Sequence, residues 1–179
     1  LFIATYKEDN QERSLELESC LSKNLSNSQL SNIITINSKN HITFQDLIDK
    51  ANSLASDEDI NIIANSDIFF KDLSYLETLK PNQCFALSRY DGRILHAKSY
   101  SQDVWIFKGK INIKDCNIKM GKPGSDNAFA YYLSKKGYEL LNPCFNIKTY
   151  HMHQSEIRSY DKIRDIVRGP YKRVKLFTD

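Results

Sequence analysis

The chain contains no apolar run that approaches the roughly 20 residues of a transmembrane helix, so its 179 residues are read as lacking a membrane span. It also has no C-x-x-C pair and no other zinc-ribbon spacing, because Cys20, Cys84, Cys116 and Cys144 stand far apart. That excludes a zinc-finger framework and predicts reduced thiols, with Cys20 and Cys84 serving as small core residues. Internal repeats and low-complexity linkers are absent, which excludes a repeat architecture. No signal pattern is visible, and Asn24-Leu25-Ser26 is a lone glycosylation triplet of the kind chance produces. A cytoplasmic location is the expectation.

A hydrophobic fraction of 41% and a charged fraction of 26% are ordinary for a globular protein. A chain of this length can bury roughly 70% of its unfolded surface in one domain. It begins inside an apolar run, Leu1-Phe2-Ile3-Ala4, as expected of a piece of something longer. The formal net charge of +3 is small but uneven. Lys162, Arg164, Arg168, Lys172, Arg173 and Lys175 crowd into the basic end. Such a segment is either a solvated face or a contact for an anionic partner: a phosphate-bearing ligand, nucleic acid or an acidic membrane surface.

Periodicity predicts a β-α-β-α-β start. Leu1 to Tyr6, Ser31 to Asn37 and Ile60 to Ala64 read as strands. Gln11 to Leu25 has helical spacing, as does the stretch carrying Phe44, Leu47, Ile48, Ala51 and Leu54 behind Thr43, an N-cap candidate. Strands alternating with helices of this length predict an α/β fold with a Rossmann-like, mostly parallel sheet flanked by helices. After Asp67 a short helix over Asp72 to Leu79 is followed by strands at Gln83 to Ser88 and Arg93 to Lys98 around Asp91-Gly92, then Val104 to Phe107. Antiparallel strands are therefore expected in the second half. A helix from Asn127 to Lys136 and a strand from Phe145 to Tyr150 complete a domain over residues 1–153, and residues 154–179 are expected as a basic helix or irregular arm.

Three polar clusters stand out. Asn65-Ser66-Asp67 follows the third strand, and in an extended backbone Asn65 and Asp67 point the same way. They either cap the next turn or offer oxygen ligands to Mg2+ or Mn2+ held jointly with phosphates. Gly121-Lys122-Pro123-Gly124-Ser125-Asp126-Asn127 runs from a turn into a helix, so Ser125 or Asp126 is either an N-cap or, for Asp126, an exposed carboxylate that accepts a proton or holds a sugar hydroxyl. His151 and His153 share one face of an extended segment about 7 Å apart and are able to complete a metal shell. Ser88-Arg89-Tyr90-Asp91 and Ser101-Gln102-Asp103 are candidate pocket-lining groups. In them Arg89 suits a phosphate and Asp103 a sugar hydroxyl, or each makes only a local cap or ion pair.

In order along residues 1 to 153, these features resemble the GT-A fold glycosyltransferases. The resemblance implies that Asp67 and His151 or His153 hold a divalent cation, Mn2+ or Mg2+, against a nucleotide-diphospho-sugar. It implies that Asp126 serves as base, with Asn127 beside it for the sugar or acceptor. Thr5, Tyr6, Arg13, Asn65 and Arg89 would lie near the donor, whose acceptor is a glycan, lipid-linked sugar, protein or nucleic acid. Asn65 departs from the family pattern, where an acidic residue is usual. Two further readings fit the same residues: a metal-dependent phosphoester hydrolase using Asp67, His151 and His153, and a non-catalytic nucleic-acid-binding or scaffold domain using the basic end.

Overall fold

The β-branched and aromatic runs form short strands, and the stretches with helical spacing between them form three α-helices. The computed structural model describes residues 1–5, 8–38, 42–96, 99–155, 157–158 and 160–177. In chain order these are β1 (Phe2–Thr5), α1 (Gln11–Leu25), β2 (Ile34–Asn37), α2 (Phe44–Leu54), β3 (Ile60–Ala64) and β4 (Ile68–Phe70). A 3-10 turn at Ser74–Thr78 leads to β5 (Gln83–Leu87), β6 (Arg89–Asp91), β7 (Ile94–Leu95), β8 (Val104–Lys108), α3 (Ser125–Lys135), β9 (Glu139–Leu141) and β10 (Thr149–His151).

The larger sheet has the order β2-β1-β3-β8-β5-β9. β1 is parallel to β2 and to β3, as the two helical crossovers require. β8 runs antiparallel to both β3 and β5, and its ladder with β3, from Ile60 opposite Lys108 to Ala64 opposite Val104, is the longest in the sheet. The fold is mixed α/β, and the Rossmann-like, mostly parallel sheet expected from periodicity is corrected to a mixed sheet with an antiparallel centre. Connectivity is the reason. Between β5 and β8 the chain has no crossover helix but a β6–β7 hairpin turning at Gly92 (φ 62°), so it returns reversed. A second, mixed sheet in the order β4-β10-β6-β7 contains the antiparallel strands expected in the second half.

Strand alternation sorts the core into two layers. Phe2, Ile63, Cys84, Ala86, Trp105 and Phe107 face α2 and α3, where Phe44 stacks on Phe129 with ring centroids 3.8 Å apart. Ile3, Ile62, Phe85, Leu87, Val104 and Ile106 face the other way, onto Leu73, Leu76 and Leu79 and the apolar side of β4. Because both faces are covered, β3 and β8 read as nearly unbroken apolar runs. All four cysteines are buried and free.

Local signals explain the boundaries. Thr43 caps α2 through a reciprocal box with Asp46. At α3, neither Ser125 nor Asp126 is the cap. Gly124 takes that position at φ 78°, and the helix starts two residues ahead of Asn127, leaving Asp126 in its first turn. Asn24, wholly buried in α1, donates to Ile68 O (2.8 Å) and accepts from Phe70 N (3.1 Å), which ties the helix to β4 and withdraws the asparagine of the glycosylation triplet from solvent. The basic end is irregular among the described residues. It straps over the start of α3 through Val167 N to Pro123 O (2.9 Å), Lys172 N to Asn127 O (2.9 Å) and the Lys122–Asp165 ion pair (2.9 Å). No helix among the described residues is long and apolar enough to cross a membrane.

Candidate functional site

β3 ends at Ala64, and the amide of Ile68 then bonds to Asn65 O (3.2 Å), so residues 65–68 form a turn rather than an extended segment. Asn65 and Asp67 consequently diverge, which corrects the expectation that they point the same way. Asn65 Nδ2 bonds to Asp103 Oδ1 (2.8 Å), whereas Asp67 faces α1 and β10.

Antiparallel pairing of β10 with β4 sets His151 opposite Ile68, and Met152 N bonds to Asp67 O (2.8 Å). This register delivers both late histidines to one carboxylate. Asp67 Oδ2 lies 3.2 Å from His151 Nε2 and 3.8 Å from His153 Nδ1, and a ligand atom from each residue falls within 4.8 Å of the others. Arg13, from the first turn of α1, reaches the same oxygen at 2.6 Å and is braced by Glu16 (2.9 Å) and by Met152 O (3.1 Å). Glu16 in turn accepts from Gln154 N, Ser155 N and Ser155 Oγ, fastening the exit of β10 to α1. From β6, Asp91 Oδ1 bonds to His151 Nδ1 (2.8 Å) and orients that ring.

The electrostatics follow from these contacts. Burial opposes the charge on Asp67, but hydrogen bonding and the charge of His151, then of Arg13, outweigh it and hold the carboxyl well below its usual range. Burial likewise opposes charge on His151, but the hydrogen bond it makes to Asp67 and the charge of that carboxylate leave the imidazole raised. His153 is lowered by burial and by the Arg13 charge.

A second wall comes from the edge where β8 begins. Asp103, 5% exposed, is gripped by Arg89 Nη1 at 2.9 and 3.0 Å and by Asn65. The third wall is the first turn of α3. Asp126 Oδ2 accepts the backbone N–H of Gln102 (3.2 Å), and burial, followed by the Asp103 charge, pushes its carboxyl up to about 6. Asn127 Nδ2 donates to Tyr100 O (2.8 Å). The three walls enclose a cavity of about 560 Å³ whose lining includes Asp67, Arg89, Asp103, Asp126, His151 and His153. Ordinary small-molecule sites are of this size.

Arg13, Asn65 and Asn127 also line this cavity. Thr5 does not: it bonds to the Asn37 side chain and borders a smaller cavity of about 160 Å³ beside α1. Tyr6 lies outside the described residues. Sequence reasoning gave no individual role to Asp91 or Gln102, which it placed only within the two candidate pocket-lining groups, and it did not single out Arg158. Lys162, from the basic end expected as a solvated face or a contact for an anionic partner, also lines the cavity. The donor set of one carboxylate and two imidazoles could hold a divalent ion, and its two nitrogen donors fit a transition ion better than Mg2+, which prefers oxygen ligands.

No protein-family model, curated protein or solved structure matches the chain.

Proposed function

We propose that this protein is a metal-dependent glycosyltransferase, with a GT-A-like arrangement and a cytoplasmic setting, that moves a sugar from a nucleotide-diphospho-sugar to an acceptor hydroxyl of a glycan, lipid-linked sugar, protein or nucleic acid. The observation that carries this reading is the convergence of Asp67, His151 and His153 on one wall of a cavity that has Asp126 on another. The cavity opens where β3 ends and β8 begins, an edge of the kind where α/β sheets take their ligands. Asp67, His151 and His153 would hold Mn2+, which supplies countercharge to a departing diphosphate. Arg13 holds one oxygen of the Asp67 carboxylate and lines the same cavity, where its guanidinium would suit the phosphate oxygens of a donor. Lys122, Arg158 and Lys162 add positive charge to the same cavity. Asp126, with its carboxyl raised to about 6, is suited to take the acceptor proton near neutral pH.

Calorimetry with a panel of nucleotide-diphosphate sugars, with and without Mn2+, tests the reading. Manganese-dependent binding that disappears in Asp67→Ala is the expected result, and donor binding indifferent to Mn2+ and to this substitution refutes it. Turnover of a generic phosphodiester without any sugar donor transfers the same three residues to the hydrolase reading. Salt-steep nucleic-acid binding without either activity favours the non-catalytic one.

A further inference from the structure

Among the described residues, the buried side-chain polar atoms without a hydrogen-bond partner are Arg89 Nε, both amide atoms of Gln102, Asn127 Oδ1 and His153 Nε2. All four residues line the large cavity. Buried polar groups in folded proteins are hydrogen-bonded as a rule, and an orphaned one is destabilising, so their confinement to one cavity marks a place built for a polar ligand. His153 belongs to the metal cluster and Arg89 to the Asp103 pair. Gln102 belongs to neither.

Gln102 is 2% exposed and its side chain has an unused donor and an unused acceptor. Its position is fixed from both sides. Its own backbone N–H is held by Asp126, and the next residue, Asp103, is pinned by Arg89 and Asn65. Those neighbours are already committed and do not turn to satisfy the amide. On the far side of Asp126, Asn127 spends its Nδ2 on Tyr100 O and leaves its Oδ1 facing no partner.

A donor and an acceptor side by side match a ligand that both accepts and donates through adjacent groups, as neighbouring hydroxyls of a sugar ring do. We infer that Gln102 is the specificity-determining residue of the cavity, reading a pair of adjacent sugar hydroxyls next to Asp126, with Nε2 donating to one and Oε1 accepting from the other. Asn127 Oδ1 supplies a further acceptor. The inference rests on the glycosyltransferase reading for the nature of the ligand, but its residues are separate from the metal cluster.

The test compares the full chain with Gln102→Met, which keeps the length of the side chain and removes its amide. Three quantities are measured: the ligand-free Tm, binding of UDP and GDP with Mn2+, and binding of methyl glycosides and nucleotide-diphosphate sugars. The expected pattern is a higher Tm for the variant, because two orphaned polar atoms are gone, and nucleoside diphosphate affinity within about twofold of the original. Affinity for the best sugar ligand falls roughly ten- to a hundredfold. A deoxy analogue of that sugar binds the original protein as weakly as the parent sugar binds the variant. A lower Tm, or unchanged sugar affinity, overturns the inference and leaves the transferase reading standing if nucleoside diphosphates still bind. Gln102-dependent binding of glycosides with no binding of nucleoside diphosphates supports the inference and removes the transferase reading. If the original protein binds no sugar ligand of either kind, both fall.

Discussion

Replacing Asp126 by Asn should make the protein more stable while abolishing the proposed transferase activity, and the size of the stability effect follows from the site. The carboxyl is raised from 3.8 to about 6, first by burial and then by the negative charge of Asp103. A group whose folded value lies above its unfolded value binds extra protons in the folded state. Stability is therefore full below about pH 4 and is lost as pH rises through about 6. A difference of about two pH units corresponds to about 3 kcal/mol, with a limiting slope near 1.4 kcal/mol per pH unit. Asn keeps an oxygen to accept the Gln102 amide but carries no charge, so this penalty is absent from the variant. The measurement is urea unfolding of both proteins from pH 3.5 to pH 8. The two curves should coincide near pH 3.5, separate across pH 4 to 6 and run parallel above pH 7, with Asp126→Asn the more stable by about 3 kcal/mol and its Tm higher by roughly 5–10 °C. A constant gap, or a variant that is less stable at pH 8, refutes the argument that Asp126 is a desolvated carboxylate. In the original protein, the proposed transferase activity should climb through about pH 6 as this group ionises.

Other perturbations test separate parts of the structure. Asp91→Asn should weaken Mn2+ binding by roughly 10- to 100-fold in calorimetry while leaving urea unfolding almost unchanged, since Asp91 orients His151 without belonging to the cluster. Asn24→Ala strands the carbonyl of Ile68 and the amide of Phe70 inside the protein and should cost about 2–4 kcal/mol in urea unfolding at an unchanged m-value. Gly109→Ala combines a φ of +70° with a Cβ 2.7 Å from Asp57 O and should cost about 2–3 kcal/mol. Gly92→Ala, at φ +62° with open space around it, should cost about 1 kcal/mol by the same assay.

Features written in local periodicity were legible. The bounds of α1 at Gln11–Leu25 and of β3 at Ile60–Ala64 follow from the spacing of apolar residues, and the α2 boundary follows from the chemistry of Thr43. β4 and β9 are too short to imprint a period, so their sequences show no strand signal. The strand expected over Phe145 to Tyr150 is displaced to Thr149–His151 because the chain first makes a turn in which Ile147 N bonds to Pro143 O (2.9 Å), leaving Phe145 exposed. In the site, Asp67, Asp126, His151 and His153 could be named from residue type and position. Their meeting depends on the β4–β10 register, which joins parts of the chain 84 residues apart and is not encoded in either segment alone. Gln102 stood within a candidate pocket-lining group, but its own part was not legible, because a glutamine in a loop becomes informative only when its amide is seen to have no partner. The strand at Val104 to Phe107 and antiparallel pairing in this half were expected, but the place of β8 between β3 and β5 was not, because strand order is set by the connections and not by the residues of the strand.

The placement of β10 has a consequence for assembly. It is the last strand among the described residues, yet it lies between β4 and β6 in the smaller sheet and carries one histidine of the cluster at its end, with the other lying two residues beyond. A nascent chain therefore holds Asp67, Arg13 and Asp91 long before the strand that unites them emerges. Asp67, His151 and His153 come together only when that strand inserts and Glu16 latches residues 154 and 155. Non-local insertions of this kind are slow steps in folding. Under the proposed metal-dependent reading, uptake of Mn2+ during refolding should follow burial of Trp105 in time.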